Sequence, residues 1–310
     1  MDVLILAGGL SHERDVSVRS GRRVAEELRD RGLTVTVRDV DTGLLPALRE
    51  SADAVVWPLL HGASGEDGSL QALLELAGAR YVGTRSKEAR VAWVKPVAKA
   101  VYAGDDVATP DFVTLPQSLF REVGADQVLD AIVARFGLPL VVKPARGGSA
   151  LGVSLVRERD QLARAMVQCF AYGDNAMIET AIEGTEVAVS VIGSGQDART
   201  LAPVEIACEG PYDYDARYNA GRVEYFTPAR LDSAATAAVN DAALSVHRRM
   251  GLRDLSRVDM ILDGHGVPQV LDINIAPGMT ETSLLPQAAV GAGEDLGALY
   301  ERIVRAAATE

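Results

Sequence analysis

The sequence opens Met1-Asp2-Val3-Leu4-Ile5-Leu6-Ala7-Gly8-Gly9-Leu10. An unbroken apolar run from Val3 to Ala7 that stops at two glycines reads as a buried strand over residues 3–6 ending in a tight turn. Beyond it, Val16, Ser20, Val24 and Leu28 recur every fourth position, with Arg22, Arg23, Glu26 and Arg29 between them. That spacing predicts an amphipathic helix. Residues 34–40 read as a second strand, 54–58 as a third, and 71–77 as a helix that Gly78 stops. Strands and helices in alternation predict a parallel sheet with right-handed crossovers. In such sheets ligands gather beyond the carboxyl ends of the strands, where Gly8-Gly9 and residues 61–68 stand.

The apolar run at 3–7 lacks a basic flank and is too short for a signal segment or a membrane span. No other window reaches about 18 uninterrupted apolar residues, so a soluble, cytoplasmic protein is expected. The chain has 310 residues, 48% apolar and 24% charged, which is ordinary for a globular protein of two or three domains. With 31 Lys+Arg against 43 Asp+Glu, its formal charge is −12. That balance argues against nucleic-acid and membrane-surface partners, which call for clustered cations. A small anionic ligand needs only a few local positive charges. Aromatic residues make up 5%, too few for a base-stacking platform. Cys169 and Cys208 stand far apart without a His/Cys cluster, which suits neither a disulfide framework nor a thiolate zinc site.

A second region begins near Trp93. A helix over 95–103 leads to a strand at 112–115, a helix at 125–136 and a strand ending in Lys143-Pro144. The segment Arg146-Gly147-Gly148-Ser149-Ala150-Leu151-Gly152 and a strand at 153–156 follow. This reads as a hairpin arm, because the Walker spacing G-x-x-x-x-G-K-[ST] is absent. From about Glu186 the chain mixes strands (187–192, 203–206, 258–262, 268–272) with helices at 233–250 and 296–307. The tyrosine-rich stretch 208–225 has no clear period and reads as a long functional loop.

The strongest local chemistry is Arg257-Val258-Asp259 closing one strand and Asp272-Ile273-Asn274 closing the next. Two carboxylates and an amide oxygen suit a hard cation such as Mg²⁺; the competing reading is a surface ion pair beside turn residues. Lys143 ahead of the glycine arm could join backbone N–H groups in surrounding phosphates, or be a solvated lysine on a glycine hairpin. Glu179 and Glu186 could accept from an adenine amino group and a ribose hydroxyl, or be ordinary surface glutamates. His12, His247 and His265 fit no motif and read as surface residues.

The order of these elements resembles the ATP-grasp superfamily, and within it the D-alanine–D-alanine ligases, over nearly the whole chain. The matching stretches are Gly8-Gly9-x-Ser11-x-Glu13-Arg14-Asp15-Val16-Ser17, His61-Gly62-x-x-Gly65-Glu66-Asp67-Gly68 with Gln71, and Tyr81-x-Gly83. They continue with Lys143-Pro144, Gly148-Ser149-x-x-Gly152, Tyr212-Asp213-Tyr214-x-x-x-Tyr218, Arg257-x-Asp259 and Asn274-x-x-Pro277-Gly278-Met279-Thr280-x-x-Ser283-Leu284-x-Pro286. The resemblance implies a mixed α/β fold of three domains (1–93, 94–184 and 185–310), the last two sandwiching ATP. It implies an enzyme that phosphorylates one D-alanine to an acyl phosphate and lets a second displace phosphate. Lys95, Lys143 and Arg217 would hold ATP phosphates; Glu179 with the Ala181-Ile182 backbone would receive adenine, and Glu186 the ribose. Asp259, Asp272 and Asn274 would hold Mg²⁺ or Mn²⁺, two ions. Arg257 and the Gly278 N–H would stabilise the oxyanion. Glu13 would bind the first ammonium with His61 close by, while Ser283 and the Leu284 N–H would take the second carboxylate. Ser149 and Tyr218 would link to Glu13 and close loops over the site. The family's habit of forming homodimers makes a dimer the expected assembly.

Some positions depart from the family pattern. Asp272 stands where glutamate is usual and is shorter by about 1.5 Å of reach. Arg217 replaces a lysine, Gly147 a glutamate, and Trp93-Val94 a Met-Asp pair, with Pro96 tolerated in the first helical turn. These changes keep open a ligase of the same chemistry acting on other amino acids. A nucleotide-binding protein without catalysis would be expected to lack Arg257, Asp259 or Asn274, yet all three are present. A dinucleotide-binding dehydrogenase would need G-x-G-x-x-G after the first strand, and it is absent.

Overall fold

A computed structural model describes residues 1–104, 107–208 and 223–309. Strands β1 (Asp2–Leu6), β2 (Thr34–Arg38), β3 (Val55–Pro58) and β4 (Arg80–Tyr81) form a parallel sheet in the order β2-β1-β3-β4. Successive apolar residues let β1 bury both faces: Val3 and Ile5 enter one core, Leu4 and Leu6 the other. Helix α1 (Arg14–Asp30) turns Ser17, Ser20, Gly21, Val24, Ala25 and Leu28 inward. At Gly21 it presses on the sheet, since a Cβ there would lie 2.5 Å from the Cβ of Ala7. The inward serines fasten loops. Ser17 Oγ accepts from the Gly8 N–H (2.8 Å) and donates to the Leu59 carbonyl (2.7 Å); Ser20 Oγ accepts from the Met279 N–H (3.0 Å). One helix thereby fixes the end of β1, the end of β3 and a distant C-terminal loop.

Helices α2 (Leu44–Glu50), α3 (Ala63–Glu66), α4 (Ser69–Leu76), α5 (Ser86–Trp93) and α6 (Lys95–Tyr102) lead to the second sheet. There β5 (Phe112–Pro116), β6 (Leu140–Pro144), β7 (Ser154–Val156) and β8 (Asn175–Thr180) pair antiparallel in the order β5-β8-β6-β7. Helices α7 (Gln117–Val123), α8 (Ala125–Phe136) and α9 (Gln161–Phe170) cover one face through Phe120, Leu129, Ile132, Leu162 and Met166. The expected hairpin arm is present: β6 and β7 pair directly, and the Lys95 N–H donates to the Ala145 carbonyl (2.9 Å) at its base.

The third sheet holds β9 (Gly184–Ile192), β10 (Arg199–Thr200), β11 (Val204–Cys208), β12 (Val223–Phe226), β13 (Leu255–Asp263) and β14 (Pro268–Asn274). Its order is β12-β11-β9-β13-β14, with β10 beside β9. Helix α10 (Ser233–Arg249), capped by Asp232, packs Val239, Ala243 and Val246 against it. Helices α11 (Leu284–Gly291) and α12 (Leu296–Ala307) return to the first sheet, where Tyr300 meets Trp57 edge to face at 5.5 Å. In the other direction, Ala89, Ala92, Ala98 and Tyr102 of α5 and α6 share the core of α10. The cores interlock across the order of the chain. Among the described residues no helix is long and apolar enough to cross a membrane.

Several expectations shift. The second strand stops at Arg38, before residue 40. Helices α2, α5, α9 and α11 were not foreseen, although Leu162, Ala165, Met166 and Cys169 give α9 a regular buried stripe. Of the stretch 208–225, Cys208 ends β11 and residues 223–225 belong to β12; residues 209–222, with Tyr212, Tyr214, Arg217 and Tyr218, lie outside the described residues. His247 is fully buried, contrary to a surface reading, because it follows Val239, Ala243 and Val246 on one helical face. Its ring meets Ser256 Oγ at 2.8 Å and the Gly193 carbonyl at 3.1 Å, and burial pushes its pKa down to about 4. His12 and His265 are exposed, as expected.

Candidate active site

Strands β13 and β14 run antiparallel with Arg257 opposite Asn274 and Asp259 opposite Asp272. The Arg257-Val258-Asp259 segment therefore stands near the start of β13, not at its close. Antiparallel pairing still brings it against the end of β14, and alternation turns all four side chains to one face. On the other side of β13, Glu186 lies opposite Ile261 and joins the same face. Arg257 donates from Nε and Nη2 to the two oxygens of Asp259, at 2.7 and 2.8 Å. Both residues are buried, so this is no surface ion pair; the carboxylate locks the guanidinium plane.

The second sheet supplies the facing wall. Lys143 Nζ lies 2.5 Å from Glu179 Oε1 and donates to the Leu271 carbonyl at 3.3 Å. Lys99, absent from the sequence-based site, reaches the other oxygen of Glu179 at 2.7 Å. At the head of α6, Lys95 Nζ donates to Asp272 Oδ2 at 2.5 Å. Burial raises the Asp272 carboxyl pKa, but Lys95 and Lys143 outweigh it and hold the group below the usual range. Glu179 follows the same pattern under Lys143 and Lys99. Glu179 is thus a buried, doubly paired carboxylate, and its remaining lone pairs leave room for one further donor.

The N-terminal sheet closes the site. Ser149 Oγ, on the arm, donates to Glu13 Oε1, so the arm docks on the first loop. His61 is buried, and its Nδ1–H donates to the Ala276 carbonyl (3.0 Å). Burial lowers its pKa, so the ring is neutral, and among the described residues Nε2 is a buried acceptor without a partner at the cleft. That lone pair suits a donor such as an ammonium. On the C-terminal loop, a Cβ on Gly278 would come within 2.7 Å of Ser283 Oγ, so glycine is needed for this approach. Ser283 Oγ accepts from the Thr280 N–H (3.0 Å) and stands at the N-cap of α11. Leu284 opens that helix, whose first-turn N–H groups lack partners within the helix and suit a carboxylate.

Every sequence-predicted site residue within the described range lines one cleft of about 1130 Å³: Glu13, His61, Lys95, Lys143, Ser149, Glu179, Ala181, Ile182, Glu186, Arg257, Asp259, Asp272, Asn274, Gly278, Ser283 and Leu284. Asp259, Asp272 and Asn274 form an all-oxygen donor set, which fits a hard divalent cation. Among the described residues no group of three His, Cys, Asp or Glu forms a complete metal cage. An ion here would need substrate phosphates to finish its shell, as Mg²⁺ often does.

Glu66 also lines the cleft, and the sequence reading gave it no role beyond its motif. Its Oε1 accepts from the Gly62 N–H at 2.7 Å. Burial, reinforced by Glu13, pushes its pKa up from 4.5 to about 8, against the pull of Lys95. Between those values the folded protein holds a proton that the unfolded chain has released, so stability falls as pH rises through the window. Glu66→Gln keeps an acceptor for Gly62 but cannot titrate. Melting temperature measured from pH 4.5 to 8 should decline less in the variant than in the parent. Parallel profiles would contradict the assignment, and His61 and His247 cancel in the comparison.

Residues 101–305 match the family model described as D-ala D-ala ligase C-terminus, and residues 38–84 match D-ala D-ala ligase N-terminus. A D-alanine–D-alanine ligase from Anaeromyxobacter sp. (strain K) is 39% identical over 307 residues, covering 99% of this chain and 96% of the relative. The crystal structure of D-alanine–D-alanine ligase from Bacillus anthracis superposes with a TM-score of 0.84 at 28% identity, over 99% of this chain and 97% of that one. The same enzyme complexed with ATP gives 0.82 at 26% identity, with the same coverage of both chains.

Proposed function

This chain belongs to the D-alanine–D-alanine ligase family, and we propose that it uses ATP to join two D-alanines into D-alanyl-D-alanine for peptidoglycan precursor synthesis. One observation carries the reading. The acceptor pair Glu13 and His61 shares a single cleft with Lys95, Lys143 and the Arg257–Asp259–Asp272–Asn274 face. Substrate amine and nucleotide phosphates are thereby assigned adjoining places.

In this reading Lys95 and Lys143 leave their carboxylates to hold ATP phosphates, and Arg217 is assigned to the same phosphates. Adenine sits against Glu179 and the backbone of Ala181 and Ile182, and the ribose against Glu186. Asp259, Asp272 and Asn274 hold Mg²⁺ or Mn²⁺, two ions, which when bound neutralise phosphate charge. Glu13 and His61 Nε2 orient the ammonium of the first D-alanine so that its carboxylate oxygen attacks the γ-phosphorus; ADP departs and an acyl phosphate remains. Ser283 and the Leu284 N–H fix the carboxylate of the second D-alanine. Its neutral amine attacks the acyl carbon, the oxyanion forms between Arg257 and the Gly278 N–H, and collapse expels phosphate, which carries off the proton lost by the nitrogen. Exclusion of water by the arm protects the acyl phosphate from hydrolysis.

We assign three units, 1–93, 94–184 and 185–310, a homodimer testable by light scattering, and a cytoplasmic setting, where ATP and the amino acids are available. Tyr218 is assigned to the Glu13–Ser149 link. Tyr218→Phe should slow turnover about tenfold, the worth of one charge-assisted hydrogen bond, and broaden the choice of nucleophile. An unchanged rate and acceptor profile would count against that role.

The function is tested by phosphate release across D- and L-amino acids. Release with D-alanine alone, with matching dipeptide, is expected. Release only with another pair would favour a ligase of different specificity, a reading that Asp272, Arg217 and Gly147 keep in view. ATP binding without release for any acceptor would make the protein a nucleotide binder.

A further inference from the structure

Lys99 is one of the most deeply buried charges in the described chain, with 1% side-chain exposure. It sits one turn beyond Lys95 on α6, over the ring of Phe112 at 5.3 Å. Its ammonium donates to Glu179 Oε2 at 2.7 Å, while Lys143 takes Glu179 Oε1 at 2.5 Å. The two lysines differ in position. Lys143 and Glu179 face the cleft, whereas Lys99 stands behind them. The other charged groups felt by Lys99 are Lys143 and Asp272, and Asp272 is already paired to Lys95. One buried carboxylate therefore has two counter-ions, of which Lys143 lines the cleft and Lys99 does not.

We propose that Lys99 is a positioning residue that holds Glu179 as its resident counter-ion, so that Lys143 can leave this carboxylate for the phosphates of ATP. The inference rests on the phosphate-binding role assigned to Lys143. Without Lys99, drawing Lys143 away would strand a buried, ionised Glu179, and stranding such a charge is strongly unfavourable. Glu179 would then compete with the triphosphate for Lys143. With Lys99 in place, removing Lys143 leaves a one-to-one pair. The geometry also accounts for burying a lysine that touches no substrate.

The test is a double-variant cycle read by calorimetric titration with the Mg²⁺ complex of adenosine 5′-(β,γ-imido)triphosphate. Lys99→Met should weaken binding about tenfold, in line with loss of one charge coupling at an intermediate dielectric. Lys99→Arg should restore most of it. In a Glu179→Gln background, Lys99→Met should change binding by less than about twofold, because no carboxylate remains to retain Lys143. An equal loss in both backgrounds would overturn the proposal, since Lys99 would then act by some route other than Glu179. If Lys99→Met alone does not fold, the Glu179→Gln pair decides: a tenfold loss there contradicts the idea, and parity supports it. Lys143→Met separates the two levels of inference. If it leaves affinity unchanged, the phosphate role of Lys143 fails; if it weakens affinity while Lys99→Met does not, only the present proposal fails.

Discussion

Arg257→Ala should lower the rate of dipeptide formation by about 10²–10³-fold, the range found when a preorganised oxyanion donor is removed. The guanidinium is held in one plane by Asp259 at 2.7 and 2.8 Å, so it needs little reorganisation when the oxyanion forms. Affinity for ATP should change far less, since the phosphates are assigned to Lys95 and Lys143. The substitution also leaves Asp259 buried without its partner, and breaking such a pair can destabilise by about 3–5 kcal/mol. Rapid-quench measurement on folded protein separates the two effects. Arg257→Lys preserves the charge but loses the two-pronged grip, and should recover only part of the rate. Near-normal turnover in folded Arg257→Ala would remove the residue from the mechanism.

Asp272→Asn should lower turnover by about a hundredfold or more and raise the concentration of Mg²⁺ needed for half-maximal activity, because a charged oxygen ligand is lost. It also releases Lys95, which lies 2.5 Å from Asp272. A lysine without its carboxylate is free to turn to the triphosphate, so ATP affinity should hold or rise as turnover falls. That opposed movement distinguishes a metal-holding carboxylate from one that merely anchors Lys95. Asp272→Glu restores the charge and adds one methylene, so it should keep most of the activity if the strand face has room. Equal activity of Asp272→Asn and parent at low Mg²⁺ would contradict the assignment.

Much of this site was legible before any fold. Spacing alone gave α1, β1 and the hairpin arm, because period and glycine punctuation are local signals. The chemistry of Glu13, His61, Lys143, Arg257, Asp259 and Asn274 came from motifs whose residue types are tied to the reaction. What stayed hidden depends on pairing between distant segments. Nothing near Arg257-Val258-Asp259 says that it starts a strand, and only its register against β14 makes it face Asp272 and Asn274. Lys99 and Glu179 are 80 positions apart, so their contact is invisible until β8 lies beside α6. The raised pKa of Glu66 likewise arises from burial beside Glu13, which belongs to another loop. His247 is different. Its spacing after Val239, Ala243 and Val246 is a local signal of burial that needs no fold to be read.

In this mechanism a D-alanine carboxylate takes the γ-phosphate before the second amine arrives. It is tested most directly by turnover with ATP and D-alanine labelled with heavy oxygen in both carboxylate positions, followed by mass analysis of dipeptide and phosphate. One heavy oxygen is expected in each phosphate released, for each D-alanyl-D-alanine formed. Dipeptide accompanied by unlabelled phosphate, or phosphate release without D-alanyl-D-alanine, would contradict it.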